Sequence, residues 1–326
     1  MNRQNMDHLR RLGDRIPIPI PTDEDGFTGR ECPAQSCEGY FKVQFGTGIP
    51  QTGIPCHCPY CGHPATHDHF WTKEHIEYAK SVAIRKLWDA LVADLKGLEF
   101  EHKPRGAFGI GFSMKLKTGP RHPIRHYREK QLETTLTCEV CTLRYAVYGA
   151  FAFCPDCGTH NSGQILAMNL ELARKELRLA EAQDRQLQRH LIEDALENAV
   201  SAFDGFGREA VRSRRLAASD PAAATSISFQ NLARADARLS DLFRFQLATS
   251  VPAEDWQLAL VAFQKRHVLA HRLGIVDEAY LRETSDKTAV LGRRIPIARE
   301  EVERVLKVVQ ALGAAMLANL PPVSKP

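Results

Sequence analysis

The feature that most constrains this chain of 326 residues is the distribution of its nine cysteines, which all lie between Cys32 and Cys157. They occur in closely spaced groups, and the second half of the chain contains none. Secreted disulfide scaffolds are small domains whose bridges run through the whole fold. Closely spaced cysteine pairs are instead typical of metal ligands in a reducing compartment. We therefore expect a cytoplasmic metal-binding protein.

The second group of cysteines has the more regular spacing. Cys138 and Cys141 form one Cys-x-x-Cys pair, and after twelve intervening residues Cys154 and Cys157 form another, followed by Gly158. Each pair can make a tight turn that presents two thiolates to one tetrahedral Zn²⁺. The sequence therefore predicts a four-cysteine zinc site here.

The first group is looser and consists of Cys32, Cys37, Cys58 and Cys61. Both groups end in Cys-Pro-x-Cys-Gly, whose glycine allows the backbone to turn beneath a metal with positive φ. The two patterns resemble the zinc-ribbon family, which implies two structural Zn²⁺ sites as the cofactors of this chain. Four thiolates close the coordination shell, so we expect both metals to stabilise the fold without binding substrate.

Two alternatives to this assignment stay open. Other ligands in the first group could replace one of its four cysteines; they are Cys56, His57, His63, His67 and His69. A Cys-x-x-Cys pair can also serve redox chemistry. Two pairs at ribbon spacing favour the metal over the redox role.

The bulk composition is that of an ordinary soluble protein, with 44% hydrophobic and 25% charged residues. No apolar run approaches the roughly 20 residues of a membrane-spanning helix. The first fifteen residues are polar and do not resemble a signal peptide. We expect no membrane partner and no export.

The net charge of +4 hides a strongly basic segment at 103–130, in which eight Lys or Arg residues stand against the single acid Glu129. Such charge beside a zinc ribbon suits a nucleic-acid phosphate backbone. The candidate contact residues are Lys115, Lys117, Arg121, Arg125, Arg128 and Lys130. The alternative is a solvated loop that only aids solubility.

The sequence pattern predicts an α+β multidomain protein, with two small β zinc ribbons followed by an all-α bundle. The expected boundaries are an extended N-terminal segment at 1–30, a zinc ribbon at 31–71, a helix at 72–98, a basic linker with a strand at 99–137, a second ribbon at 138–163 and the helical domain at 164–322. Thr72 can cap the first long helix, and the linker strand covers Phe108–Leu116. The helical domain begins with one long amphipathic helix through Phe203, and further helices are expected at 228–247, 253–273, 277–285 and 298–319.

The helix at 253–273 ends in a string that contains Arg266, His267 and His271. One interpretation is structural, because basic residues near a helix C-terminus favour the helix dipole. A second is a His-x-x-x-His metal pair, but Val268 stands where a zincin carries glutamate. Arg266 and His271 are five residues apart and do not share a helix face, so they meet only through the reach of Arg, a distorted turn or a second subunit.

The third interpretation follows a resemblance. Arg, a polar residue, three more residues and His, followed by Gly274 and Ile-Val-Asp, resembles the HEPN family (higher eukaryotes and prokaryotes nucleotide-binding). The Glu-Asn-Ala-Val-Ser-Ala-Phe-Asp run at 197–204 and the stretch 292–297 before the last helix agree with this. The resemblance implies a helical-bundle homodimer, and in many members a metal-independent endoribonuclease whose two motifs meet across the dimer axis.

Carried over residue by residue, the resemblance makes His271 the general acid or base, Arg266 the phosphate ligand and His267 a residue that orients phosphate or assists His271. Imidazole titrates near neutral pH, and Arg offers a fork of donors to phosphate. Arg272 departs from the asparagine expected after the motif histidine. This leaves open whether the position adds phosphate affinity or the site has shifted toward binding.

We therefore predict an endoribonuclease that cleaves RNA through the 2′-oxygen, with structural zinc ribbons that help to present substrate. Its expected partners are RNA, a second copy of the chain and a regulatory protein. The alternative is a non-catalytic dimer that binds nucleic acid or protein.

Overall fold

The computed structural model describes residues 6–50, 55–102, 112–284 and 286–323. The chain forms two compact units, the first from 1–59, 64–148 and 155–157, and the second from 60–63, 149–154 and 158–326. The first unit combines small antiparallel sheets with a long helix, and the second is helical. No helix in the described ranges has both the length and the apolarity to cross a bilayer. The mixed architecture, with its helical second half, agrees with the fold class expected from the sequence.

The first unit joins the strands of both cysteine-bearing segments in one sheet. Its described helices and strands are α1 (Asp7–Arg11), β1 (Phe27–Glu31), β2 (Tyr40–Gln44), β3 (Cys56–His57), β4 (Pro64–Ala65), α2 (Lys73–Lys96), β5 (Phe100–His102), β6 (Phe112–Met114), β7 (Thr134–Thr137) and β8 (Arg144–Val147). Strands β1, β2, β8 and β7 form an antiparallel sheet in that order, in which Val43 of β2 faces Tyr145 of β8. Two separate ribbons are expected from the sequence, but an isolated hairpin is marginal in water, and the shared sheet buries Phe41, Val43 and Tyr145.

The N-terminal 30 residues are not simply extended, because they contain α1 and most of β1. The carboxylate of Asp94, near the end of α2, accepts hydrogen bonds from the backbone N–H groups of His8 and Leu9, each at 3.0 Å. Asp94 therefore satisfies donors at the start of α1 that have no intrahelical partner. The partner lies 86 residues away, so local sequence could not reveal this helix.

Helix α2 follows the prediction closely. The Thr72 side chain accepts a hydrogen bond from the His75 backbone N–H at 3.1 Å, and Gly97 follows the last residue, Lys96. The strand expected at Phe108–Leu116 lies partly outside the described residues. Within them, β6 covers Phe112–Met114 and pairs with β5.

A buried arginine lies in the core of the first unit. Arg30 of β1 is only 1% exposed, and its guanidinium lies 3.9 Å from the ring centroid of Trp71 and 4.9 Å from that of Phe45. Burial lowers the pKa of Arg30 to about 10, even though the nearby Cys56 and Glu129 oppose this shift. The flat cation is stabilised by aromatic faces where solvent is excluded.

The single acid of the basic segment is a structural anchor. Glu129 accepts hydrogen bonds from the His75 ring Nε2 and the Gly29 backbone N–H, both at 2.9 Å, and from the Tyr40 hydroxyl. Its side chain is 5% exposed and that of His75 is 2% exposed. Burial by itself raises the pKa of Glu129, but these hydrogen bonds outweigh it and hold the pKa below its ordinary value. Glu129 therefore ties the basic segment to β1, β2 and α2.

The second unit is built around helix α4. Its described α-helices are α3 (Ser162–Ala180), α4 (Arg185–Arg212), α5 (Pro221–Thr225), α6 (Leu232–Phe243), α7 (Ala253–Arg272), α8 (Glu278–Thr284) and α9 (Arg299–Asn319). Helix α4 packs against α3, α7 and α9. Phe203, Phe206, Phe229 and Phe263 form the aromatic part of the core.

The single long helix expected from residue 164 to Phe203 is wrong, because the structure has the hairpin of α3 and α4 there. Helix α3 ends at Ala180, and the Asp184 side chain accepts hydrogen bonds from the backbone N–H groups of Gln186 and Leu187 at 2.8 and 3.1 Å. This N-cap starts α4 anew. The apolar spacing persists across the break because both helices bury one face in the same core.

Helix α7 is held at its C-terminal half by a buried ion pair. Lys265 is 4% exposed, and its ammonium group donates to the Glu301 carboxylate at 2.8 Å and to the Pro296 carbonyl at 2.9 Å. The helix ends with Leu273 and Gly274 in left-handed conformations, at φ +53° and +77°. Helices α6, α7, α8 and α9 lie within the ranges predicted for them, apart from small differences at their ends.

We predict that Glu129→Ala lowers the free energy of unfolding of the first unit by about 2 kcal/mol. The substitution leaves the buried Tyr40 hydroxyl, the His75 ring and the Gly29 N–H without their acceptor. Urea unfolding followed by tryptophan fluorescence measures the loss, in a background where Trp88 and Trp256 are replaced by Phe so that only Trp71 reports. Trypsin should also cleave faster within 115–130, because the segment loses its anchor.

The same stabilisation should depend on pH. A carboxyl whose pKa is lowered in the folded state stabilises the fold above its unfolded pKa, and the effect is lost as pH falls through the folded pKa. The difference between wild type and Glu129→Ala should therefore shrink between about pH 6 and about pH 3. Glu24→Ala, at an exposed position of the first unit, is the control. An equal loss of stability in both variants would contradict the anchoring role.

Candidate functional site

The first four-cysteine cluster brings together Cys32, Cys37, Cys58 and Cys61, whose Sγ atoms all lie within 4.8 Å of one another. The Cys37 backbone N–H donates to the carbonyl of Ala34 at 2.9 Å, which closes the turn between the first two cysteines. The glycine that follows Cys61 has φ +76°, as its place beneath the cluster requires.

The second cluster has the same construction. The Sγ atoms of Cys138, Cys141, Cys154 and Cys157 lie within 4.8 Å of one another. Gly158, at φ +68°, donates its backbone N–H to the Cys154 carbonyl at 2.9 Å. Strands β7 and β8 form an antiparallel hairpin that flanks Cys138 and Cys141.

The sulfur geometry fits Zn²⁺ at both clusters. The Sγ atoms of Cys37 and Cys58 are 3.7 Å apart, as are those of Cys138 and Cys157. A tetrahedron with zinc–sulfur bonds of about 2.3 Å has edges of about 3.8 Å. All nine cysteines are free thiols, so no disulfide competes for these sulfurs. Each cluster could therefore hold a metal ion.

The alternative ligands of the first segment lie outside both clusters. Cys56 is buried in β3, with its Sγ 4.0 Å from the His57 carbonyl, and burial raises the pKa of its thiol to about 12. The ring of His57 lies 3.4 Å from the Pro155 carbonyl, and His69 contacts the Thr66 hydroxyl at 2.7 Å. Within the described ranges, none of the cysteines or histidines beyond the two sets of four joins a metal-binding group.

Arg266 lies against helix α4 rather than in open solvent. Its Nη2 is 3.5 Å from the Ser201 hydroxyl, and its buried Nε has no hydrogen-bond partner in the described part of the chain. Glu197, one turn before Ser201, has a raised pKa because of burial, although the charge of Arg266 opposes the shift. The guanidinium thus keeps unused donors beside a carboxyl group that burial favours in its neutral form.

The two motif histidines are exposed and adjacent. The ring centroids of His267 and His271 are 4.6 Å apart, with an angle of 53° between the ring planes. Among the described residues, no hydrogen bond links either ring to Arg266. The structure therefore brings the imidazoles together and directs the guanidinium to α4.

His267 also lines a cleft of about 790 Å³, together with Arg234 and Arg238 of α6 and with Arg272. Of these, Arg234 and Arg238 are not predicted as site residues from the sequence. Two arginines one helical turn apart on an amphipathic helix carry no local signal, and only the packing of α6 near α7 places them beside His267.

The cations of the basic segment fall into two groups. Arg121 and Arg125 pair with acids of α2, the first with Asp89 at 3.4 Å and the second with Glu77 at 2.7 Å. The remaining four are exposed and, within the described ranges, have no acidic partner; they are Lys115, Lys117, Arg128 and Lys130. The surface open to an anion is thus narrower than the sequence indicates.

Comparison of the chain with models of protein families, with curated proteins and with solved structures finds no match. The assignment of function therefore depends on the residues and their geometry.

We predict that the purified protein releases two Zn²⁺ per chain when its thiols are modified by a mercurial reagent. Cys58→Ser should retain about one, because it opens the coordination shell of the first cluster. Cys56→Ser should retain both, because Cys56 lies outside the clusters. Release is followed with a chromogenic chelator. A Cys56→Ser variant that loses one metal would assign that ion to a different ligand set.

Proposed function

We propose that this protein is an endoribonuclease of the HEPN type, which cleaves RNA with residues of α7 and uses two structural zinc ribbons to help present the strand. The observation that carries the proposal is the arrangement at the end of α7. There, a half-buried Arg266 with unused donors precedes two exposed imidazoles whose ring centroids are 4.6 Å apart.

The chemistry needs a base, an acid and a charge stabiliser. One imidazole takes the proton of the RNA 2′-hydroxyl while the 2′-oxygen attacks phosphorus and the bond to the 5′-oxygen breaks. A protonated imidazole supplies the proton that the leaving oxygen requires. The products are a 2′,3′-cyclic phosphate and a free 5′-hydroxyl. We assign His271 as the principal proton-transfer group, with His267 beside it.

Arg266 suits the phosphate in this scheme. A guanidinium presents several donors in a fixed fork, and it stabilises the charge that develops on the phosphoryl oxygens. The contact with Ser201 and the nearby Glu197 hold it in place on the α4 side.

Arg266 and His271 do not meet within one chain. In this proposal, a second copy of the chain brings them together. An apolar patch adjoins His271 and is formed by Leu273, Ile275, Val290 and Leu291, which are 83%, 42%, 59% and 52% exposed. The two loops that carry these residues are joined by hydrogen bonds between the Gly292 N–H and the Val276 carbonyl, and between the Val276 N–H and the Arg293 carbonyl, both at 2.9 Å. A patch of this kind beside a polar site is typical of an interaction surface. We propose that it meets its counterpart in a homodimer.

The basic segment gives the strand a second contact. Lys115, Lys117, Arg128 and Lys130 are exposed cations without acidic partners in the described ranges, and Glu129 holds their segment to the sheet. Exposed cations attract RNA phosphates without sequence preference.

We predict that the wild-type protein cleaves single-stranded RNA and that His271→Ala lowers the rate by at least about 100-fold, the usual contribution of a general acid or base. Arg266→Ala should have a similar effect, because charge stabilisation is lost. A denaturing gel with 5′-labelled RNA measures the rate, and the 2′,3′-cyclic product identifies the reaction. Brief treatment with EDTA should not change it.

Two substitutions test whether these losses are specific. His190→Ala removes an exposed imidazole from α4, and Arg282→Ala removes an exposed guanidinium from α8. Both should cleave like the wild type. If no RNA is cut at high enzyme concentration, or if all four variants behave alike, the protein is better described as the non-catalytic binding dimer.

We predict that the protein is dimeric in light scattering and that Leu273→Asp combined with Leu291→Asp makes it monomeric and inactive. Charge in the apolar patch opposes association, while aspartate tolerates the left-handed backbone at position 273 better than leucine. The matched control is Leu172→Asp with Leu179→Asp, which places two charges at exposed positions of α3. A monomeric wild type, or an active double variant in monomeric form, would rule out the composite site.

A further inference from the structure

The cleft lined by His267 contains more positive charge than the proposed chemistry uses. Arg234 and Arg238 lie four residues apart on α6, so their side chains share one helix face. The face of α7 that lines the same cleft contributes Gln264 and His267. In the described part of the chain, no acidic group lies within ion-pair distance of Arg234 or Arg238.

The acids of the cleft do not compensate this pair. Asp277 is engaged elsewhere, because its carboxylate accepts a hydrogen bond from the Tyr280 backbone N–H at 2.9 Å and lies 3.4 Å from the Nε of Arg272. Glu283 is exposed on α8. Neither acid pairs with the two guanidiniums of α6 in the described ranges. Three arginines and two acids line the cleft, so its lining keeps a net positive charge, which favours an anionic ligand.

The remaining lining suits a nucleotide. The loop before α6 adds four neutral side chains, namely Ser226, Ser228, Gln230 and Asn231. The two serine hydroxyls donate to the Ala223 carbonyl and the Asp204 carboxylate, but within the described ranges the Gln230 Oε1 and the Asn231 Nδ2 make no hydrogen bond. The volume of about 790 Å³ lies within the range of small-molecule sites. Guanidinium groups match phosphate oxygens in pairs, and amides and hydroxyls can meet the edges of a base or ribose.

The position of the cleft connects it to the cleavage site. His267 lines the cleft, and its ring centroid is 4.6 Å from that of His271. A strand whose scissile phosphate lies at His271 can pass His267 and place its neighbouring nucleotide between α6 and α7.

We propose that this cleft is a phosphate subsite that holds one nucleotide of the RNA strand next to the scissile bond, with Arg234 and Arg238 as the phosphate ligands. This inference rests on the proposed function, because that function places the scissile phosphate at His271 and so leads the strand past His267. A free nucleotide has the same phosphate chemistry, so the experiment includes both sources.

The experiment measures RNA binding separately from cleavage. Full-length His271→Ala protein is titrated against a fluorescent single-stranded RNA, with and without Arg234→Gln plus Arg238→Gln. The double variant should bind at least about tenfold more weakly, because it loses charge-assisted hydrogen bonds. For the double variant, the slope of log affinity against log salt concentration should be less steep by about 0.7, the value for one single-strand phosphate. Arg185→Gln with Arg282→Gln removes the same charge from exposed positions and should change neither quantity.

The outcomes separate this inference from the proposed function. Unchanged RNA affinity in the double variant overturns the subsite, even if the wild type cleaves RNA. If the double variant loses affinity for 5′-AMP but not for RNA, the cleft binds a free nucleotide and the strand subsite is also overturned. Weaker RNA binding in the double variant supports the subsite. If the wild type nevertheless cuts no RNA, the nuclease proposal fails and the cleft remains an RNA phosphate site. Unaltered circular dichroism and zinc content confirm that the variants are folded.

Discussion

Four sulfur atoms within 4.8 Å of one another are the constraint on which the cysteine-bearing segments depend. Thiolates at this distance repel, so a stable cluster needs a cation at its centre or protons on its sulfurs. A divalent metal satisfies all four at once, and in small modules its binding energy is a large part of the folding energy. The turns at Ala34–Cys37 and Cys154–Gly158 are shaped to hold their cysteines at that centre.

Beyond the clusters, buried charges determine where two cation-bearing segments lie. Glu129 ties a basic segment to the sheet through hydrogen bonds from Gly29, Tyr40 and His75. In the helical unit, Lys265, the residue before Arg266, pairs with Glu301. Removing one partner of such a pair leaves an uncompensated buried charge, which is strongly destabilising. These pairs therefore hold the backbone next to the neighbouring cations in place, and those cations take no part in the pairs.

The candidate site combines rigid support with exposed chemistry. Helix α7 packs against α4 and α9, which sets the direction of Arg266, while its C-terminal turn leaves His267 and His271 in solvent. Helix α6 adds Arg234 and Arg238 to the space beside His267. The candidate site built from these groups draws on at least three helices, so the six-residue stretch from Arg266 to His271 is only part of it.

The sequence alone determined the features that follow from short-range chemistry. The cysteine spacing selected the two sets of four, the Thr72 cap began α2, and the apolar periodicity predicted α6, α7, α8 and α9 within a few residues. Each of these depends on neighbours a few residues away, or on repeated spacing. The motif residues Arg266, His267 and His271 could likewise be named, although their roles stay proposals.

Only the tertiary structure decided the features that join distant residues. The shared sheet of β2 and β8, the cap that Asp94 gives to α1, the break between α3 and α4, and the pairing of Arg121 and Arg125 with acids of α2 all belong to this class. So does the cleft between α6 and α7. In each case, the stabilising contact joins residues that the chain brings together only on folding. The pattern of neighbouring residues therefore cannot predict it.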